Sequence, residues 1–231
     1  MGIPIIVVCH NNYKYVQNTL FQLTRCNPMC VSDIRIMDSK STDPDTIAFL
    51  NGVDVPVLWN PTNSGPWIAT WVNVHIYNSL PDRFILTDPD LQFNSAMPSD
   101  FVEQLSIVAD TYTACKVGLA LDISDFDKMY QSVYADNKTI YDHESQFWKD
   151  RVPDERYELY KAETDTTFCL HDKRGDQGVR LRIAGNFTAK HIPWYTENPL
   201  YSKDELSTVY LNTDHISTIG KLINNGPTSV I

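Results

Sequence analysis

At 231 residues the chain can bury one sizeable core, and nothing in it requires two. Hydrophobic residues make up 42% and charged residues 21%, the balance of a soluble globular protein and not of a disordered one. The formal net charge of −10 argues against broad binding to nucleic-acid backbone or anionic membrane, but it permits an anionic ligand that a metal or basic group neutralises locally.

Cys9, Cys26, Cys30, Cys115 and Cys169 form no CxxC pair and no Cys/His zinc pattern, so they read as reduced thiols in a reducing compartment. The apolar run over 3–8 is too short for a secretory leader and has no basic residues before it. Gly2 invites a myristoylation check, but Ile6 stands where Ser or Thr is wanted. No stretch has transmembrane length. A cytoplasmic protein without membrane insertion is expected, with the sequons at Asn137 and Asn186 unused.

The run over 3–9 is β-branched without alternation, as in a central strand covered on both faces. It ends in His10-Asn11-Asn12, after which Tyr13, Val16, Leu20 and Leu23 recur at helical spacing, with Asn11 or Asn12 as the cap. Capping accounts for these polar residues, but so does a ligand crevice at a strand's carboxyl end, where open α/β sheets bind ligands. A second strand over 33–37 runs into Asp38. A buried carboxylate there needs hydrogen-bond donors, and a base N–H or ribose hydroxyl would serve. Ser41, Thr42 or Asp43 can cap a helix through Leu50, with Pro44 in its first turn. A third strand over 55–59 leads through Asn60 to Gly65-Pro66, and Trp67, Trp71 and Val74 begin apolar helical stripes. No Gly-Lys-Ser/Thr follows Gly65, so this is not a Walker loop.

The fourth strand is Phe84-Ile85-Leu86-Thr87, and it stops at Asp88-Pro89-Asp90. In extended backbone alternate side chains share a side, so the two carboxylates can point together, and Pro89 stiffens the pair. Two such carboxylates repel unless a cation lies between them; hard oxygen donors suit Mg²⁺ or Mn²⁺. An Asp-Pro-Asp turn that merely closes the strand is the alternative. Asp100 with Glu103 has capping-box spacing before a helix carrying Phe101, Leu105 and Val108, and a strand over 115–121 ends near Asp122 and Asp125. Strand and helix thus alternate four times, predicting a mainly parallel sheet flanked by helices.

Beyond Asp125 the chain turns polar and aromatic, with Phe126, Tyr130, Tyr134, Tyr141, Phe147, Trp148, Tyr157 and Tyr160. Aromatics beside polar groups suit a sugar, and a helical flap with its own small core accounts for them equally. Segments 166–170 and 179–183 read as strands of a hairpin or edge pair, His191 ends a strand-like segment, and residues 213–223 can form a terminal amphipathic helix.

Together these residues resemble the nucleotide-sugar glycosyltransferases of the GT-A fold. The resemblance runs from Cys9-His10-Asn11-Asn12, through Met37-Asp38-Ser39-Lys40-Ser41-Thr42-Asp43 and Asn60 to Trp67, to Asp88-Pro89-Asp90 as the family's Asp-x-Asp motif. It continues through Glu144-Ser145-Gln146-Phe147-Trp148 and Asp165-Thr166-Thr167-Phe168 to His191-Ile192-Pro193-Trp194-Tyr195, and is nearest to small virus-encoded members from large algal viruses. It implies one catalytic domain over 1–231, with a nucleotide-sugar-binding half over 1–122. The acceptor-side half over 123–231 would carry the last metal ligand. Cys9, His10, Asn11, Asp38, Asn60, Gly65 and Asp88 would bind the donor; Asp88, Asp90 and His191 would hold the metal. Mn²⁺ suits mixed oxygen and imidazole ligation best, with Mg²⁺ the alternative. The implied activity is hexosyl transfer from a nucleoside-diphosphate sugar, UDP favoured, to a glycan or glycoprotein acceptor; a viral member would work in host cytoplasm. Inverting transfer needs a carboxylate base, for which Glu144 and Asp165 are candidates, with Asp122 and Asp125 behind them. A nucleotidyltransferase making nucleotide sugars would want a basic, Gly-rich phosphate loop after the first strand, which His10-Asn11-Asn12-Tyr13 is not. The intact carboxylates and His191 speak against a non-catalytic carbohydrate-binding module.

Overall fold

A computed structural model describes residues 2–63, 65–66, 74–135 and 137–211. The first half alternates as expected: β1 (Ile5–Cys9), α1 (Tyr13–Cys26), β2 (Ile34–Ser39), α2 (Pro44–Gly52), β3 (Val57–Asn60), α3 (Val74–Ser79) and β4 (Arg83–Thr87). A short strand β5 (Leu91–Phe93) then precedes α4 (Phe101–Tyr112) and β6 (Ala114–Leu119). The second half holds α5 (Ile140–Glu144), β7 (Arg151–Val152), β8 (Leu159–Lys161), β9 (Cys169–Asp172), β10 (Asp176–Ile183), β11 (Ala189–His191) and α6 (Lys203–Leu211). The expected helical positions Trp67 and Trp71, and the proposed helix over 213–223, lie outside the described residues.

The nine-stranded sheet has the order β3-β2-β1-β4-β9-β6-β10-β8-β7, and β5 and β11 form a separate pair. Strands β1, β2, β3, β4, β6, β7 and β10 run one way; β8 and β9 oppose them. The chain is therefore α/β with a mostly parallel sheet. All of β1 is buried, as an unbroken apolar strand requires. Below it, Val16 and Leu23 of α1 and Phe101, Leu105 and Val108 of α4 join the main core around Phe168. Burying each such large side chain contributes about 1.5–3 kcal/mol.

Three local expectations change. The proposed hairpin over 166–183 is split: β9 and β10 both pair with β6, one on each side. Gly175 makes the crossing possible, because a Cβ there would lie 2.5 Å from the Ala114 carbonyl oxygen over which the chain passes. The Asp100–Glu103 capping box does not form. Asp100 makes no side-chain cap and accepts instead from Gln104 at 2.6 Å, while Glu103 accepts from Asn27 at 3.3 Å. Asn12 occupies the N-cap position of α1 but turns its side chain back to the His10 N–H at 3.1 Å. Asp43 caps α2 as expected, accepting from Thr46 N at 2.7 Å.

Candidate metal centre

Parallel register brings Cys9 beside Asp38 and Ser39 beside Asn60, and pairs Val7 with Thr87, so the ends of β1, β2, β3 and β4 share one sheet edge. Asp88 and Asp90 leave that edge. The β5–β11 pair folds the later chain back over them, with His191 opposite Leu91 and Ile192 N donating to the Asp90 carbonyl at 2.8 Å. Ligand atoms of Asp88, Asp90 and His191 all fall within 4.8 Å of one another.

Buried polar groups fix this arrangement. From α1, Thr19 donates to the Pro89 carbonyl at 2.5 Å, and Gln22 donates to the Leu91 carbonyl at 2.9 Å while accepting from Phe93 N at 2.7 Å. Each carboxylate then has one oxygen held. The Thr166 hydroxyl donates to Asp88 Oδ2, and the Tyr210 hydroxyl donates to Asp90 Oδ2 at 3.1 Å. Asp90 Oδ1 is buried with no hydrogen-bond partner and lies 3.4 Å from His191 Nε2. The imidazole packs against Trp194 with ring centroids 4.8 Å apart.

The charges are unbalanced. Burial, then the Asp90 charge, push Asp88 up to about 7 against the Thr166 hydrogen bond and the His191 charge. Asp90 falls below the usual carboxylate range, because His191 and Tyr210 outweigh the opposing effect of burial. Burial would lower His191, but the Asp90 charge 3.4 Å away prevails and raises it. A buried carboxylate oxygen without a donor, beside a second carboxylate and an imidazole, is a donor set that fits a divalent cation such as Mn²⁺. Leaving such an oxygen unmatched is otherwise costly.

The neighbouring loop behaves differently. Asn11 adopts a left-handed φ of 55°, which Asn tolerates, and its Oδ1 accepts from Thr42 N at 2.7 Å and Asp43 N at 2.9 Å. Asp38 is buried, yet the Ser41 hydroxyl donates to one oxygen at 2.5 Å and Ser41 N to the other at 3.1 Å. Its burial therefore needs no ligand donor, contrary to the expectation from sequence. Cys9 packs in the core, its thiol pushed up to about 12 by burial and then by Asp38, so it offers a ligand only backbone. His10 Nδ1 lies 2.8 Å from the Ser39 carbonyl and is thereby the protonated nitrogen; Nε2 then accepts from Asn63 Nδ2 at 3.3 Å. Asn63 also accepts from the N–H of Gly65, whose φ of 67° glycine allows. Asn60 is buried and receives Thr62 N at 3.3 Å. His10, Asn11, Asp38 and Gly65 are thus linked into one hydrogen-bonded rim through Ser41 and Asn63, with Asn60 beside it bound to Thr62.

Of the base candidates, Glu144 is not a surface-helix residue. It is 2% exposed and ion-paired with Arg182, whose guanidinium lies 4.1 Å from the Phe147 ring centroid. Burial raises it, and Arg182 offsets only part of that. Asp165 is exposed, ion-paired with Lys116 at 2.8 Å, and next in sequence to Thr166. Asp125 is bound to Lys190 at 2.5 Å and Tyr195 at 2.8 Å, and Asp122 accepts from Ser124 N at 2.9 Å. Most aromatics of the second half pack on neighbouring rings, as in Tyr134–Trp194 and Trp148–Tyr160, and Tyr130, Tyr134, Tyr157 and Trp194 join the main core instead of forming a small core of their own. Phe126 and Tyr141 form an exposed pair with centroids 4.6 Å apart.

Thr19, Gln22, Thr166 and Tyr210 were not legible as site residues. Thr19 and Gln22 are buried polar positions on an amphipathic helix, a signal available in the sequence but ambiguous without the strand they meet. No helix among the described residues is long and apolar enough to cross a membrane.

No protein-family model and no curated protein matches the chain. Similar solved structures include TarS from S. aureus in complex with UDP-GlcNAc, at 13% identity and TM-score 0.44, covering 75% of this chain and 46% of that one. A mannosyltransferase from Pyrobaculum calidifontis in complex with GDP-Man and Mn²⁺ shows 16% identity and TM-score 0.41 over 56% of this chain and 38% of that one. A mycobacterial protein shows 12% identity and TM-score 0.46 over 90% of this chain and 71% of that one. The chain spans about half the length of TarS 1–349. At this distance the chemistry rests on the chain's own residues.

Proposed function

We propose that this chain is a metal-dependent glycosyltransferase that moves a hexose from a nucleoside-diphosphate sugar, UDP favoured, to a glycan or glycoprotein acceptor. The observation that carries the reading is the convergence of Asp88, Asp90 and His191 at the edge where β1 to β4 end, with Asp90 Oδ1 buried and lacking a donor. Asp88, Asp90 and His191 would hold Mn²⁺, or Mg²⁺ in its place. Such an ion supplies charge stabilisation to a departing diphosphate.

The chain's own residues would do the rest. Thr166 and Tyr210 keep the carboxylates turned inward. The rim of His10, Asn11, Asp38 and Asn63 offers polar edges for a base and ribose, with Asn60 and Gly65 shaping the loop behind it. For inverting transfer, Glu144 or Asp165 would take the acceptor's proton, which requires reach to that hydroxyl in the bound complex. The exposed Phe126–Tyr141 pair gives the acceptor's apolar sugar face a surface to stack on.

Incubation with UDP- and GDP-hexoses, with and without MnCl₂, tests this directly by release of nucleoside diphosphate. Turnover or slow donor hydrolysis that needs Mn²⁺ is expected, and Asp90→Ala should reduce it at least about 100-fold if the electrostatic role is correct. Metal-independent release, or full activity in Asp90→Ala, would overturn the reading.

A further inference from the structure

Asp90 is the best-shielded member of the metal-binding trio, and α6 supplies part of the shield. Helix α6 and the turn before it are tied to α1 at several points: Lys14 N donates to the Tyr201 hydroxyl at 3.0 Å, Lys14 Nζ meets Glu205 at 2.5 Å, and the Tyr15 and Tyr201 rings lie 4.8 Å apart. Asn198 donates to the Tyr15 hydroxyl at 2.5 Å and accepts from Leu200 N and Tyr201 N, fixing the turn that launches the helix. Leu206 and Val209 pack with Tyr15, Tyr201 and Ile192, the residue after His191. Docked in this way, α6 delivers the Tyr210 hydroxyl to Asp90 Oδ2 at 3.1 Å.

A carboxylate can turn about its last bond and exchange its oxygens. Here one oxygen is engaged by Tyr210, and the other, Oδ1, faces His191 without a hydrogen bond. We infer that Tyr210 is a positioning residue: by holding Oδ2 it presents Asp90 to a divalent cation through Oδ1 alone. The inference rests on the metal site proposed above. It extends that site across 120 residues of chain, to a helix that contributes no ligand of its own. Partners behind a ligand are the groups that set its orientation, and removing one typically weakens metal affinity about 10- to 100-fold.

Tyr210→Phe removes the hydroxyl and keeps the ring, so it separates orientation from packing. Titration with MnCl₂ alone, followed by the electron paramagnetic resonance signal of free Mn²⁺, gives the dissociation constant without reference to activity. Wild type should bind, Asp90→Asn should lose binding, and Tyr210→Phe should bind about 10- to 100-fold more weakly with unchanged near-ultraviolet circular dichroism. Leu206→Ala, which loosens the helix but keeps the hydroxyl, reads the packing contribution by itself and should weaken binding less than Tyr210→Phe. If Tyr210→Phe fails to fold, Tyr210→Leu takes its place with the same expectation. Equal Mn²⁺ affinity in wild type and the folded position-210 variant overturns the inference and leaves the metal site standing. So does an equal loss in Leu206→Ala, which would assign the effect to packing. Absence of Mn²⁺ binding by wild type overturns the metal site itself, and the role of Tyr210 with it.

Discussion

With no cation beside it, Asp88 carries its carboxyl near neutrality: burial and the Asp90 charge push it up to about 7. Because the native value is raised, the stability this residue contributes is fully present below its ordinary 3.8 and is lost as pH rises through about 7. A bound cation reverses the preference, since it must displace the proton before the oxygen can ligate. His191 is raised as well and must likewise be neutral to ligate. Mn²⁺ affinity should therefore fall on acidification through about pH 7, by about tenfold per pH unit for each proton displaced. The rise in unfolding temperature given by MnCl₂ should be larger at pH 8 than at pH 6. Calorimetric titrations at pH 6, 7 and 8 check this, and a flat affinity would mean that Asp88 does not ligate.

At the scale of elements, the buried pair between Glu144 of α5 and Arg182 of β10 is the joint that fastens the second-half helix to the sheet. Glu144→Gln leaves the Arg182 charge buried without its counter-ion, which should cost about 3–5 kcal/mol in denaturant unfolding. Asp165→Asn breaks only a partly exposed pair with Lys116 and should change stability by less than about 1 kcal/mol. A large loss of turnover in Asp165→Asn would then report chemistry, whereas the same loss in Glu144→Gln must first be corrected for unfolding. Equal stability of the two variants would show that the Arg182 joint carries little energy. The two halves of the chain also differed in legibility. Continuous apolar runs identified β1 and β4, because a strand buried on both faces writes its environment into every position. The interleaving of β9, β6 and β10 was not legible, since it depends on one backbone passing over Ala114 at Gly175, a long-range event that leaves no periodic signal. Tyr210 was hidden for the same reason: its partner lies 120 positions away, and its helical neighbours look like an ordinary surface segment.

For the molecule as a whole, the net charge of −10 bears on the order in which ligands assemble. On the proposed function, a nucleoside diphosphate approaching the end of β4 meets Asp88 and Asp90, with His191 beside them. Its own phosphates would add negative charge to a site where burial and then the Asp90 charge already raise Asp88. A divalent cation removes that repulsion on both sides, so nucleotide and metal should bind with strong positive coupling, each increasing the other's affinity by the same factor. In a thermal-unfolding series UDP alone should give almost no shift, MnCl₂ alone a modest one, and the two together more than their sum. At about 100 times the dissociation constant a ligand adds about 2.7 kcal/mol, or on the order of 5–10 °C for a domain of this size. The same series run with GDP ranks the bases, because the phosphates and metal are common to both and only the rim around His10 and Asp38 differs in what it meets. Additive shifts would mean that the nucleotide binds away from the carboxylates. An equal metal-dependent gain for UDP and GDP would mean that the rim does not select between the bases.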